Sequence, residues 1–217
     1  MYHKAKAGVK EAAVGLISDL AIDFIVRIKD KFPRNAIFVA PHAREATGDN
    51  AIPQVFAAMC AMVAQGEVDT DIVQATRVFH TGADPMERMR LRPEFDGSVT
   101  KGANYVLVDD VMNMGGTLAE LSSYILEAGG IVLSVIVLVN AGRVKHLQPN
   151  RKTILELEKR YGNEFTRILG IVPSALTANE SNYLIGFRTA DEIRNRLVKA
   201  REETTIRLRS KGIERKS

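Results

Sequence analysis

The segment from Tyr105 to Leu121, YVLVDDVMNMGGTLAEL, limits the possible folds of this chain more than any other feature. It opens with apolar residues typical of a buried strand, which lead directly into two adjacent carboxylates, Asp109 and Asp110. Two glycines follow, Gly115 and Gly116, and the next residues predict a helix. A strand, a glycine turn and a helix in this order are typical of parallel α/β sheets, whose ligands bind beyond the carboxyl ends of the strands.

The chemistry of this turn predicts a bound sugar phosphate. Backbone amides of a glycine turn, together with the positive end of the following helix, form a cradle for a phosphate group. Gly115 and Gly116 allow close approach, because a Cβ at either position would hold the anion away. Two carboxylates beside such a cradle suit the vicinal hydroxyls of a ribose, whereas the alternative is that Asp109 and Asp110 only cap the turn.

The stretch VLVDDVMNMGGT resembles the 5-phosphoribosyl-1-pyrophosphate (PRPP) motif of the type I phosphoribosyltransferases. The resemblance covers roughly residues 36 to 139, about half of the chain. It implies that Asp109 and Asp110 hold the ribose hydroxyls, take part in catalysis and contact Mg²⁺, which is otherwise held mainly by substrate oxygens. It also implies that the 5-phosphate is wrapped by Asn113, Met114, Gly115, Gly116 and Thr117.

Two further loops fit the same family by position. The loop after the first predicted strand stands where the family binds pyrophosphate, and its candidate residues are Pro41, His42, Ala43 and Arg44. The stretch ERMRLRPEFDG resembles the flexible catalytic loop of the family. Arg88 and Arg90 in that stretch are candidate catalytic residues, because guanidinium groups stabilise the charge that develops on a leaving pyrophosphate. Arg77 and Arg92 lie in or beside the same segment.

The remaining pattern predicts a parallel twisted sheet with helices on both faces, followed by a C-terminal helical hood and tail. We expect an α/β domain over residues 1–139 and a helical part over residues 140–217. Predicted strands cover 36–40, 71–79, 105–108 and 131–139; predicted helices cover about 8–30, 53–65 and 117–128, with capping boxes at Thr177 and Thr189 starting two more. Residues 81–102 are predicted to form a mobile loop, and Cys60 is predicted to lie in the core.

Two functions from different classes remain open at this point. The first is a Mg²⁺-dependent transferase that joins the phosphoribosyl group to an acceptor, expected to be a nucleobase, and releases pyrophosphate. The second is a regulatory protein that senses PRPP. Asn113 and Met114 stand where the family commonly has threonines, which removes side-chain donors but leaves the backbone amides. Asn113 also argues against the proton role that an aspartate plays there in purine-specific members.

Charge and hydropathy set the remaining expectations. The formal net charge is +4, and the excess lies in the C-terminal segment, where residues 188–217 hold ten Lys or Arg against five Asp or Glu. Such a tail either binds nucleic acid, as the regulatory hypothesis requires, or forms a solvated helix, which we favour because aromatic residues do not interleave the charges from residue 191 onward. We expect a cytoplasmic homodimer, without a membrane partner, because the apolar runs are too short to span a bilayer.

Overall fold

The computed structural model describes residues 1–42, 50–75 and 83–209, apart from the side chain of residue 208. Its helices are α1 (Tyr2–Lys6), α2 (Lys10–Ile28), α3 (Ile52–Ala64), α4 (Pro85–Arg90), α5 (Gly116–Glu127), α6 (Arg151–Tyr161), α7 (Asn163–Leu169), α8 (Ala178–Leu184) and α9 (Ala190–Arg209). Its strands are β1 (Ile37–Val39), β2 (Glu67–Asp69), β3 (Val73–Gln74), β4 (Phe95–Asp96), β5 (Asn104–Met112) and β6 (Ile131–Asn140). No helix within these ranges is long and apolar enough to cross a membrane.

The chain divides into two compact units. Unit 1 comprises Met1–Arg77, Pro93–Asn113 and Thr117–Ala141, and unit 2 comprises Val78–Arg92, Met114–Gly116 and Gly142–Ser217. The chain therefore passes from unit 1 to unit 2 and back within the glycine turn after β5. The division at residue 139 stays a prediction.

Unit 1 contains a four-stranded sheet in the order β2-β1-β5-β6, and all three of its strand pairs are parallel. The predicted parallel α/β architecture is thereby confirmed. β5 is an inner strand, and Tyr105, Val106, Leu107 and Val108 are all buried, because both faces of the sheet are covered at this strand. β6 is an edge strand, so Ile131 and Leu133 stay exposed although the strand is apolar.

Helix packing in unit 1 follows the periodicity of the sequence. α2 buries one residue in every four, and these residues join α3 and the sheet in a single apolar cluster: Ala13, Ile17, Ala21 and Ile25. Cys60 of α3 lies in the same cluster, which confirms it as a core residue, and burial raises the pKa of its thiol to about 12. Leu121 and Ile125 of α5 are also fully buried.

Of the strand predicted over residues 71–79, the described part of the chain contains only the two residues of β3, and residues 76–79 lie outside the described residues. The strand beside β1 is β2, which ends at Asp69, and the next residues turn because the Asp69 side chain accepts hydrogen bonds from the amides of Asp71 and Ile72. β3 instead pairs antiparallel with β4 in a separate two-stranded sheet. The apolar pattern of this stretch does not indicate which strand pairs with β1. The turn made by the Asp69 side chain separates β2, which pairs with β1, from β3, which pairs with β4.

Residues 81–102 do not form a featureless loop over the part that the structure describes. Asp84 caps α4 by accepting hydrogen bonds from the amides of Met86 and Glu87, and Pro85 occupies the first helical turn. Met86 and Met89 are buried in the apolar core of unit 2. The prediction missed this helix because one turn and a half is too short to show a helical period.

The core of unit 2 unites α4 with the C-terminal helices. Leu157, Phe165, Leu184 and Ile193 are fully buried members of this core, one from each of four helices. Tyr161 lies there too, so the aromatic rings of Tyr161 and Phe165 both belong to the core of unit 2. Thr177 and Glu180 form the capping box that the sequence predicts at the start of α8.

The basic residues of α9 are largely engaged within unit 2. Arg196 pairs with Asp84, and Arg207 pairs with Glu87, which is only 2% exposed. Arg194 and Lys199 pair with acidic residues of α7 and α9. Internal carboxylates therefore neutralise four cations of the described part of the tail, which agrees with a structural helix better than with a free basic surface.

We predict that the Glu87–Arg207 pair behaves as a buried ion pair. Arg207→Met should lower the free energy of unfolding by about 3 to 5 kcal/mol, because Glu87 would keep an uncompensated buried charge. The double variant Glu87→Met/Arg207→Met should recover most of this loss in urea unfolding. Arg194→Met is the matched control, since its partner Asp191 is exposed, and it should cost less than about 1 kcal/mol. Equal losses for both arginine variants would contradict the assignment.

Candidate functional site

The predicted PRPP motif lies at the end of an inner strand of the sheet. β5 continues through both carboxylates to Met112, four residues beyond the predicted end. Gly115 has a φ of 85°, a left-handed conformation that side chains disfavour, and α5 begins at Gly116. The strand, the carboxylate pair, the glycine turn and the helix therefore follow one another as the sequence predicts. They lie at the carboxyl end of the parallel strands, where ligands bind in such sheets.

Asp110 is held by two donors of unit 1 that sequence reasoning missed. Lys6 Nζ lies 2.5 Å from Asp110 Oδ2, and Asn50 Nδ2 donates to the same oxygen at 2.6 Å. The Asp110 side chain is 10% exposed and that of Lys6 is 34% exposed. Both donors are far from Asp110 in the sequence, so no local pattern indicates them.

Asp109 has a different environment from its neighbour. Its Oδ1 accepts a hydrogen bond from the Asp110 amide at 2.8 Å. Burial, followed by the negative charge of Asp110, raises the pKa of Asp109 to about 7, and the Asp110 amide and the charge of Lys6 only partly oppose this shift. The pair therefore separates at neutral pH into one carboxylate with a cationic partner and one group that holds or releases a proton.

We predict that Asp109 makes stability depend on pH. The folded protein keeps a proton on Asp109 up to about pH 7, whereas the unfolded chain releases it near its ordinary pKa, so this group destabilises the fold as pH rises through that window. Asp109→Asn removes this effect. The free energy of unfolding of the variant should therefore rise, relative to that of the parent protein, by on the order of 2 kcal/mol as the pH increases from 5 to 7.5.

Urea unfolding at several pH values measures this gain. Glu158→Gln, which changes an exposed carboxylate of α6, is the control and should follow the parent curve. A constant difference between Asp109→Asn and the parent protein across the window would refute the assignment.

The glycine turn includes residues that pack into unit 2. The side chain of Met114 is 7% exposed and lies in the apolar core of that unit, and its carbonyl accepts a hydrogen bond from Thr177 Oγ1 at 2.5 Å. This packing accounts for an apolar side chain at position 114. Because its side chain is packed in the core, Met114 can contact a ligand only through its backbone. Its role in binding stays a prediction.

Gly116 lies against an ion pair of unit 2. Arg92 Nη2 is 2.5 Å from Glu180 Oε2, and the Glu180 side chain is fully buried. A Cβ on Gly116 would lie 3.1 Å from Glu180 Oε1 and 3.6 Å from Arg92 Nε, so a side chain there would press on the pair. The sequence shows the capping box of Thr177 and Glu180 but not that its carboxylate is buried beside the glycine turn.

We predict that Met114 acts as a core residue. Met114→Thr should lower the free energy of unfolding by about 2 to 4 kcal/mol, because it leaves a cavity and buries a hydroxyl. Met62→Thr is the matched control, since Met62 is 69% exposed on α3, and it should cost less than about 1 kcal/mol. Urea unfolding compares the two, and an equal small loss for both would show that the Met114 side chain is not packed.

The candidate catalytic arginines lie on α4. Arg88 Nε donates to the carbonyl of Ala83 at 2.9 Å, and burial is the main cause that lowers the pKa of its guanidinium. Arg88 and Arg90 are half-buried. Both are thus parts of a packed helix instead of loop residues, and their catalytic role stays a prediction.

The predicted pyrophosphate loop is described only in part. Pro41 and His42 follow β1, and His42 Nδ1 lies 3.1 Å from the carbonyl of Ala40. Ala43 and Arg44 lie outside the described residues. A cavity of about 250 Å³ opens where β1 and β2 end, and its polar lining residues are Lys10, His42, Gln54, Asp69 and Thr70.

The described residues provide few ligands for a metal ion. Within residues 1–42, 50–75 and 83–209 there is no group of three or more His, Cys, Asp or Glu side chains arranged to hold an ion. Oδ2 of Asp110 already accepts hydrogen bonds from Lys6 and Asn50, and Asp109 favours its protonated form up to about pH 7. Within the described residues, Asp109 and Asp110 therefore fit a protein-bound Mg²⁺ poorly.

Comparison with known proteins finds relatives that are longer than this chain. No family model matches the sequence. Over 216 residues the chain is 34% identical to Protein TraN of Escherichia coli, a match that covers 95% of this chain and 48% of that protein. Over 129 residues it is 40% identical to an uncharacterized protein of Haemophilus influenzae, covering 58% of this chain and 29% of the relative. The chain thus spans half or less of the curated relatives it matches.

Solved structures with a partial likeness to this chain include phosphoribosyltransferases. An adenine phosphoribosyltransferase matches with a TM-score of 0.40 and 17% identity over 58% of this chain and 70% of that one. The adenine phosphoribosyltransferase of Thermoanaerobacter pseudethanolicus gives 0.35 and 21%, covering 58% and 71% of the two chains. A hypoxanthine phosphoribosyltransferase of Staphylococcus aureus gives 0.37 and 11%, covering 63% and 70%.

Proposed function

We propose that the chain binds PRPP at the segment from Asp109 to Thr117 and transfers its phosphoribosyl group to an acceptor, with release of pyrophosphate. The observation that carries the proposal is the order found at the end of β5: two carboxylates, a glycine turn with Gly115 in the left-handed region, and the start of α5. Helix-start amides bind a phosphate, and carboxylates bind sugar hydroxyls. The acceptor class, a nucleobase, follows from the family resemblance.

The two carboxylates have distinct roles in this proposal. Asp110, which Lys6 pairs, is the acceptor for a ribose hydroxyl, since a charged acceptor makes the stronger hydrogen bond. Asp109, with a pKa of about 7, donates to or accepts from the adjacent hydroxyl according to its protonation. Together they hold the sugar while its bond to pyrophosphate breaks, so that positioning supplies much of the rate enhancement.

Pyrophosphate leaves with several negative charges that need stabilisation. His42 and Lys10 line the cavity at the end of β1, which supports the predicted pyrophosphate position there. Mg²⁺ enters in this proposal as the magnesium salt of the substrate, held mainly by substrate oxygens, because Asp109 and Asp110 among the described residues fit the ion poorly. Arg88 and Arg90 remain the proposed cations for the developing charge.

The regulatory alternative receives less support from the described residues. It requires a basic tail available to nucleic acid, whereas Arg196 and Arg207 of α9 pair with acidic residues of α4. We therefore propose a small-molecule transferase, and binding of nucleic acid through the C-terminal tail stays the less favoured alternative. A cytoplasmic homodimer stays a prediction.

Calorimetry with PRPP in the presence of Mg²⁺ tests the proposed binding. We expect Asp109→Asn/Asp110→Asn to weaken binding by at least about 2 kcal/mol, because charge-assisted hydrogen bonds to the sugar are lost. Asp19→Asn/Asp23→Asn is the matched control, since it removes two exposed carboxylates of α2 and should leave the affinity unchanged. Unchanged affinity in the first double variant would refute the site.

Turnover separates the transferase from a sensor. Release of pyrophosphate, measured over a panel of nucleobases with the parent protein, should identify an acceptor. Tight binding of PRPP without turnover on any of these bases would favour a sensor instead.

A further inference from the structure

We infer that Lys6 is a resident cation that takes the place of a divalent metal ion at Asp110 and orients this carboxylate. The inference concerns the same carboxylate pair as the proposed function. It rests on that function only where it assigns Asp110 a role in sugar binding. Its evidence is the arrangement of Lys6, Asn50 and Asp110, and its test needs no phosphoribosyl ligand.

The first observation is that Asp110 Oδ2 already has two donors at short range. Lys6 Nζ lies at 2.5 Å and Asn50 Nδ2 at 2.6 Å. A divalent ion on the same oxygen would sit about 2.0 to 2.6 Å away and would share it with an ammonium group. Two cations at one oxygen repel each other strongly, so Lys6 and a metal ion exclude each other at this position.

The second observation is that the backbone holds both donors in place. The Ala51 amide donates to the carbonyl of Ala5 at 3.0 Å, and Ala5 is fully buried in the core of unit 1. Lys6 and Asn50 are the chain neighbours of these two residues, so one hydrogen bond between α1 and the start of α3 positions both side chains. A lysine on an anchored helix loses less conformational entropy on pairing than one on a free segment.

The third observation concerns the orientation of Asn50. Its Oδ1 accepts a hydrogen bond from the Ile52 amide at 3.2 Å, so its Nδ2 is the atom that faces Asp110. The carboxylate thus meets one cationic and one neutral donor on one side. A carboxylate has about four acceptor positions. Among the described residues, Lys6 and Asn50 both donate to Oδ2, which leaves acceptor capacity for sugar hydroxyls. Lys6 is therefore a positioning residue for Asp110.

Binding of Mn²⁺, followed by electron paramagnetic resonance without any phosphorylated ligand, tests this inference. We expect Lys6→Ala to gain one Mn²⁺ per chain with at least tenfold higher affinity than the parent protein, because Asp110 loses its resident cation. Lys6→Ala/Asp110→Asn should lose the gained ion. Lys6→Arg is the conservative variant, and it should behave as the parent protein does.

Two results would overturn the inference. One is a Mn²⁺ ion that the parent protein binds and Asp110→Asn loses, because a metal ion would then occupy Asp110 in the presence of Lys6. This comparison does not require Lys6→Ala to fold. The other is a folded Lys6→Ala variant that gains no ion. Failure of the parent protein to bind PRPP in calorimetry would refute the proposed function alone, since the Mn²⁺ measurement does not involve that ligand.

Discussion

The pairing of β5 with strands on both of its sides is the constraint on which the candidate site depends. Hydrogen bonds to β1 and β6 run in parallel along this strand, and its pairing with β6 extends to Met112. Because both faces of the strand are apolar and buried up to Val108, its register is strongly specified. The two carboxylates that follow are therefore held at a defined position near the carboxyl end of β5, and the glycine turn begins directly after this strand.

Electrostatics then divides the two carboxylates into different chemical groups. Asp110 has a cationic neighbour in Lys6, whereas burial and the negative charge of Asp110 raise the pKa of Asp109. Two adjacent residues of the same type thus differ because the donors come from α1 and from the start of α3. In a sugar site this difference supplies one charged acceptor and one group that exchanges a proton near neutral pH.

Within unit 2, the start of α8 joins several segments that are distant in the sequence. Thr177 donates to the carbonyl of Met114, Glu180 pairs with Arg92, and Asn179 accepts from the amides of Arg143 and Val144. These side chains are almost completely buried, and buried polar groups are costly unless they are hydrogen-bonded. The conformation of the Met114–Gly116 segment therefore depends on a helix that begins more than sixty residues later in the chain.

By itself, the sequence determined the parallel α/β architecture and the motif at the end of β5. Strand and helix periods are local, and the turn carries its signal in two adjacent glycines, so α2, α3, α5, β5 and β6 could all be predicted. Only the tertiary structure decided that β2 pairs with β1 while β3 pairs with β4, that α4 is a packed helix, and that Lys6 and Asn50 share Asp110 Oδ2. The physical reason is range: an Asx turn, a short buried helix and an ion pair across 104 residues depend on partners that no local period reveals.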